Sequence, residues 1–404
     1  MTIIKIAGVA AILMTSCCAQ AEDWPCWRGA ARNGISSEAG PAWNKGGTNG
    51  LPVLWKATVG KGFSGFAVAG GRAATMGNVD GMDVVWCFDA VKGTVIWKHS
   101  YPCELQPLSY EGGPGSTPAI AGNRVYSFSK SGDLFCLDAE TGRVIWSKKF
   151  ELWPRRTGDW KNTWRYAGSP LVMDGKLYLS VGEAGAAFDA ASGTVLWQSA
   201  PGHPGYSSPV PFRVGNSLRL VFFSGHGVVG VEAMSGKKLW EIPWRTEWDM
   251  NAADPIVQGQ QLFVSAGNHA GCALFDLSGD MPREIWRNQH LKTPMCGAVL
   301  WQGYLYGFND SDLVCVAWKD GALAWSDRAL WRGTVMVVDG RVFALGEKGK
   351  WAVSAASPKG FHPIAQGQLP AGRYWSAPAL ANGRLYVRNA QGDAVCLDLR
   401  AGAR

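Results

Sequence analysis

One repeated phrase restricts the fold of this chain more than any other feature: an apolar strand, Asp-Ala, two residues, Gly, three residues, Trp. It reads CFDAVKGTVIW up to Trp97, CLDAETGRVIW up to Trp146 and AFDAASGTVLW up to Trp197. Weaker copies follow: GVEAMSGKKLW to Trp240, LFDLSGDMPREIW with a longer turn to Trp286, and CVAWKDGALAW, without its Asp, to Trp325. Successive tryptophans are 49, 51, 43, 46 and 39 residues apart. Before each copy stands a second phrase of small residues, often Pro, then an apolar stretch, a Gly turn and apolar-aromatic alternation. Examples are GSTPAIAGNRVYSF, AGSPLVMDGKLYLS and SAPALANGRLYVRN. Period-2 alternation broken by Gly, Asn and Asp turns marks short antiparallel strands. Four strands per unit of about 40–50 residues is the pattern of a propeller blade.

The motif residues have structural duties. The Asp accepts hydrogen bonds from turn N–H groups, and the Gly supplies a positive φ before the fourth strand. The Trp offers a flat surface to the neighbouring blade and an N–H for a backbone acceptor. The chain ends fix the blade count. SAPALANGRLYVRNAQGDAVCLDL gives three strands and stops, whereas LPVLWKATVG near the N-terminus carries Trp55 with no strands before it. This early strand is expected to complete the last blade and close the ring, removing exposed sheet edges. Fourth strands at Trp55, Trp97, Trp146, Trp197, Trp240, Trp286, Trp325 and a degenerate one near Phe361 make eight blades. The expected fold is all-β: an eight-bladed propeller of four-stranded antiparallel blades.

Composition agrees, with 52 glycines for turns and 21 tryptophans for sheet packing among 404 residues. The net charge of +7 comes without a run of five basic residues, which argues against nucleic-acid binding. Lys5, the apolar stretch 6–14 and Ala19-Gln20-Ala21 have the layout of a secretory signal, with cleavage expected after Ala21. No later stretch is long and apolar enough for a transmembrane helix. The expected organisation is a signal at 1–21, a segment at 22–50 packing on the propeller, and the propeller at 51–404. The destination is periplasmic or extracellular, with Cys17 as a loose match to a lipid-anchor site. Cys87, Cys136, Cys315 and Cys396 recur at one position in four repeats and read as buried small hydrophobes. Cys26 with Cys103, or Cys272 with Cys296, are pairs open to oxidation after export; the sequence leaves this undecided.

These phrases resemble the PQQ-type propeller repeat of quinoprotein alcohol dehydrogenases and of the outer-membrane assembly lipoprotein BamB. The resemblance covers nearly the whole mature chain. The opening DWPCWRGAARNGIS is similar to that of exported PQQ-repeat proteins of planctomycetes. The resemblance implies the fold; function has to be argued from a site.

Strand parity locates that site. Turns between strands 1–2 and 3–4 share one face of the disc and are short and regular. The other face carries the long inter-blade connections, where ligand residues belong. The first connection presents Tyr110 and Glu111. The second carries Trp153, Arg155, Arg156, Trp160, Trp164, Arg165 and Tyr166, and later ones His203, Tyr206, Trp244, Arg245, Trp248, Asp249, Asn251, His290, Arg373 and Trp375. The candidate ligand-binding set is Tyr110, Glu111, Trp164, Arg165, Tyr206, Asp249, Asn251, Arg373 and Trp375. An aromatic, Arg-bearing mouth is expected to suit a flat anionic or carbohydrate-like ligand. The leading expectation is a monomeric, non-catalytic binding or scaffold propeller recognising a protein, glycan or small molecule at the channel mouth. The alternative is a dehydrogenase of alcohols or sugars using PQQ and calcium, for which Glu111, Asp249 and Asn251 are the available oxygen donors. The adjacent-cysteine pair of such dehydrogenases is missing from the mature chain, as is a C-x-x-C-H haem motif.

Overall fold

The computed structural model describes residues 22–44, 50–105, 110–152, 164–247 and 249–401. Within them, each repeat forms one four-stranded antiparallel sheet, and eight such sheets follow one another. Blades 1 to 7 occupy 67–102, 119–149, 171–198, 210–243, 256–288, 299–327 and 333–368. Blade 8 is composite. Its three inner strands come from 379–398, and its outermost is Val53–Thr58, antiparallel to Asp393–Asp398 with Trp55 opposite Cys396. The ring is therefore closed by the N-terminal strand, as expected. The proposed signal at 1–21, with Cys17, lies outside the described residues, as do Trp153, Arg155, Arg156, Trp160 and Trp248. Among the described residues no helix is long and apolar enough to cross a membrane.

The repeat phrase works as a joint between blades. Five motif tryptophans, Trp55, Trp97, Trp146, Trp197 and Trp286, lie over the motif Gly of the next blade and donate their indole N–H to a carbonyl there. Trp97 reaches Ala139 O at 2.9 Å, Trp146 reaches Ala190 O at 3.1 Å, and Trp197 reaches Ala233 O at 2.9 Å. Trp55 does the same across the closure, to Ala90 O at 3.2 Å. Gly142 shows why glycine is required: its φ is +72° and a Cβ would stand 2.6 Å from the Trp97 ring. The motif Asp caps the same turn. Asp138 Oδ1 accepts from the N–H groups of Glu140 and Thr141. Its pKa is held below the ordinary value, chiefly by the Thr141 hydroxyl and amide.

Replacing Gly142 by Ala is expected to cost about 2–5 kcal/mol, from left-handed backbone strain of ~1–2 kcal/mol and overpacking of ~1–3 kcal/mol. Gly122, also at positive φ but facing open space, should lose only the strain, about 1 kcal/mol. Denaturant midpoints of the two variants check this, and equal losses would overturn the joint.

Two readings need amendment. Blade 7 ends in Pro363–Gln368, and Ala365 stands opposite Val353 in the register that Trp146 holds opposite Cys136. Phe361 precedes that strand and packs on Trp325 with ring centroids 5.8 Å apart. An aromatic before the strand thus fills the joint that Gly and Trp make elsewhere. Cys26, Cys103, Cys272 and Cys296 are all free thiols in this structure, so neither candidate disulfide is formed. The four repeat cysteines are fully buried, and burial raises the thiols of Cys87 and Cys396 to about 12.

Residues 22–44 do more than pack on the outside. Glu22 and Asp23 meet the strand 1–2 turns of blades 8 and 1, through Asn382 N–H to Glu22 O and Gly70 N–H to Asp23 Oδ2. The chain then climbs the channel. Trp24 and Val68 exchange backbone hydrogen bonds at 2.7 Å, and Ile120 N–H reaches Pro25 O at 2.8 Å. It turns over around Cys26–Arg32 and descends along blade 7, where Ile35 and Ser36 pair in parallel with Val337 and Val338. It leaves by the face it entered, with Gly40 N–H on Asp339. The inner strands of a propeller have backbone groups facing the axis, and this hairpin answers several of them. The channel is plugged from the motif-turn face, which leaves a blind end on the other.

Candidate functional site

Above the plug, the residues that open each inner strand form a hydrogen-bonded arc. Gly65 N–H donates to Thr117 Oγ1, Thr117 N–H to Ser169 Oγ, Ser169 N–H to Ser208 Oγ, and Ser208 N–H to Asp254 Oδ1, at 2.7–3.0 Å. The small-residue–Pro phrase of the repeat serves this arc: blades 2 to 5 each offer a short side-chain acceptor to the backbone of the blade before. At blade 6 the corresponding position is Gly297. A Cβ there would lie 2.2 Å from Arg28 Nη1, so its absence makes room for the plug. Arg28 is 5% exposed and donates through Nη2 to Ala298 O and Asn33 O. Burial pulls its pKa down, and the nearby Asp254 carboxylate opposes that.

The blind end is a cavity of about 120 Å³ on the axis, walled by seven of the eight inter-blade connections and by the plug. One side is aromatic. Tyr110, Trp164, Phe63 and Trp375, from adjacent connections, pack with centroids 4.5 Å (Tyr110–Trp375), 5.3 Å (Tyr110–Trp164), 5.2 Å (Phe63–Trp164) and 5.4 Å (Phe63–Trp375) apart. Met295 packs against this cluster, and Cys296 lies beside Trp375, whose carbonyl its thiol reaches at 3.2 Å; Met250, Asp254 and Tyr206 complete the wall. Trp27, at the tip of the plug, forms the floor, and its Nε1–H is fixed on Asp254 Oδ2 at 2.7 Å. Burial raises the Cys296 thiol to about 11, which disfavours its thiolate form.

Of the nine residues expected at the site, Tyr110, Trp164, Tyr206 and Trp375 line the cavity. Glu111 and Arg373 sit at its rim, joined at 2.6 Å, with Glu347 3.5 Å from the same guanidinium. That guanidinium lies 4.8 Å from the Trp375 ring and 5.1 Å from the Tyr110 ring. Arg165 is outside the cavity wall and donates to Ser131 Oγ at 3.4 Å. Asp249 does not line it either; its carbonyl accepts from Asn251 N–H in a local turn. Asn251 is fully buried and braces the connection, its amide on Ser224 O and Trp244 O.

Trp27, Phe63, Asp254 and the sulfur residues were not expected. Asp254 had a signal: it stands before Pro255 in the column that holds Thr117, Ser169 and Ser208 before their prolines. Trp27 had none, because it lies outside the repeats.

The donor set can be tested against PQQ and calcium. Among the described residues no three His, Cys, Asp or Glu side chains are grouped to hold a metal. Both oxygens of Glu111 are engaged, by Arg373 and Gln391. Asn251 Oδ1 is unpartnered, but one donor is far from the six to eight oxygens calcium takes. A flat ring held between two others needs about 7 Å, twice the contact distance, and the aromatic wall is packed against itself. PQQ is a tricarboxylate, whereas the wall's ionisable side chains are a carboxylate, a thiol and two phenols, with no cation among them. The described residues do not fit this pair.

Fold and site together define an eight-bladed propeller of PQQ-type repeats with a plugged channel. The chain belongs to the family described as outer membrane protein assembly factor BamB, whose model matches residues 81–327. It is similar in structure to BamB from Moraxella catarrhalis, with a TM-score of 0.66 at 16% identity over 86% of this chain and 99% of that one. The quinohemoprotein alcohol dehydrogenase of Comamonas testosteroni shares the fold with a TM-score of 0.59 at 14% identity, over 95% of this chain and 81% of that one. In sequence it is 27% identical over 201 residues to the quinoprotein alcohol dehydrogenase PedH of Pseudomonas putida, covering 46% of this chain. The match spans only 30% of PedH's length.

Proposed function

We propose that this chain is an exported, non-catalytic binding propeller that holds a ligand, or a group of a partner protein, in the blind pocket on its inter-blade loop face. The observation that carries the reading is the floor: the channel is closed by the chain's own N-terminal segment, which presents Trp27 to a cavity already walled by four packed rings. Rigid aromatic anchors around a small concave site are the usual means of recognising an apolar or aromatic group. The groups that general acid–base chemistry would need are committed elsewhere, Asp254 to Trp27 and Ser208, and Glu111 to Arg373 and Gln391. The cavity, at about 120 Å³, is smaller than the ~300–1,000 Å³ of sites for drug-sized molecules. It suits one ring, one small headgroup or one partner side chain.

The test is a titration of the mature protein with a panel of probes: tetramethylammonium, indole, phenol, glucose, and PQQ with Ca²⁺. Tryptophan fluorescence and thermal shift report binding to the native state. Saturable binding of a small probe, weakened about 10- to 100-fold in Trp375→Ala by loss of a stacking face worth ~1–3 kcal/mol, is the expected result. No response from the small probes, or equal binding by the variant, would overturn the pocket. Tight PQQ binding would favour the dehydrogenase reading instead.

A further inference from the structure

Resting on that pocket, we infer that its ligand is a small organic cation: an alkylated ammonium headgroup whose body contacts the aromatic wall. The sequence alone pointed to an anionic or sugar-like ligand because two arginines flank the mouth. The structure redistributes those charges. Arg165 is outside the wall, and Arg373 is outnumbered at the rim by Glu111 and Glu347. Inside, the charged wall group is Asp254, with Arg28 beneath it and turned toward Ala298 O and Asn33 O. Around the pocket three carboxylates (Asp254, Glu111, Glu347) stand against three guanidiniums (Arg28, Arg32, Arg373), so the charges balance and no net positive field is left to favour an anion.

The rings decide the sign. Tryptophan and tyrosine faces attract cations within about 6 Å, and aromatic cages are the usual receptors for quaternary ammonium groups. The protein already places one cation on these rings, since Arg373 rests on both Trp375 and Tyr110. A sugar is poorly served by comparison. The Ser169 and Ser208 hydroxyls already accept the backbone N–H groups of the arc, and Asp254 has one bond on each oxygen. The wall's methionines and the Cys296 thiol offer soft apolar contact to methyl groups. Beneath the pocket Arg28 Nη1 meets no acceptor, and in its wall neither does Trp375 Nε1–H. A ligand oxygen close to the onium centre would satisfy the indole.

The experiment is a calorimetric comparison of choline with 3,3-dimethyl-1-butanol, its uncharged isostere, on the mature protein and on Trp375→Leu. Leucine keeps apolar volume and removes the ring face. Choline is expected to bind the wild type at least 10-fold tighter than the isostere, and to lose about 10-fold in the variant while the isostere changes less than 3-fold. Equal binding of the two probes to the wild type overturns the cation reading and leaves the pocket standing. Equal losses for both in Trp375→Leu also overturn it, since the residue would then act by shape alone. Binding of neither, together with failure of indole and phenol, removes the pocket itself. Thermal unfolding of Trp375→Leu separates loss of binding from loss of fold; if that variant does not fold, Trp164→Leu provides the same comparison on the adjacent ring.

Discussion

An Arg28→Ala variant is expected to keep its propeller and lose its plug. Arg28 is the most deeply buried cation of the N-terminal segment, fitted into the space that Gly297 leaves open and donating to two carbonyls. Truncation leaves a void, two unanswered acceptors and an uncompensated Asp254. Loss of a buried, hydrogen-bonded charge commonly costs about 3–5 kcal/mol. The segment 22–44 is held to the blades mainly by backbone bonds and a few side chains, so a cost of that size falls on its docking before it falls on the sheets. Hydrogen exchange should show protection lost at residues 24–36 while the inner strands of blades 2 to 4 stay protected. Gly297→Val tests the same contact from the other side, because a Cβ there would collide with the guanidinium. It should give the same pattern. A segment still protected in both variants would mean that Arg28 is not the latch.

Trp55→Ala should be the most damaging of the motif tryptophan substitutions, more so than Trp97→Ala. Both side chains are 7% exposed, both donate to the next blade, and burial alone predicts about 3–5 kcal/mol for each. They differ in what they join. Trp97 links two blades that are also consecutive in the chain. Trp55 sits on the strand that closes the ring, stacked 5.8 Å from Phe88 of blade 1 and 5.8 Å from Tyr386 of blade 8. Weakening that seam lets blade 8 part from blade 1, exposing edges that closure normally removes. Trp55→Ala should therefore unfold with a smaller denaturant slope as well as a lower midpoint, whereas Trp97→Ala lowers the midpoint alone. Identical slopes would show that the seam is not a separate weak point.

The architecture was readable because a repeated phrase carries its own joint. Gly and Trp recur at fixed spacing since in five joints one lies under the other in the next blade, and that requirement is local enough to leave a signature in those copies. It failed at Phe361, where the joint is filled by a residue outside the register. The candidate site was readable only in part. Tyr110, Trp164, Tyr206 and Trp375 could be placed because they open inner strands, where parity points them to the axis. Arg165, Asp249 and Asn251 share that position in sequence, yet local turns carry them away: Arg165 and Asp249 adopt φ near +52°.

By itself the sequence determined the blade, the number of blades and the closing strand. Each follows from short-range periodicity and turn chemistry, repeated eight times. What occupies the channel, and the sign of charge in the pocket, were decided only by tertiary structure. Trp27 and Arg28 are unique residues in a segment without periodicity, and they reach Asp254 and Gly297 across more than 200 positions of chain. Whether an arginine faces a ligand or a carboxylate depends on which side chains the closed ring brings to it. For Arg373 that is Glu111, from the opposite end of the propeller in sequence and beside it in space.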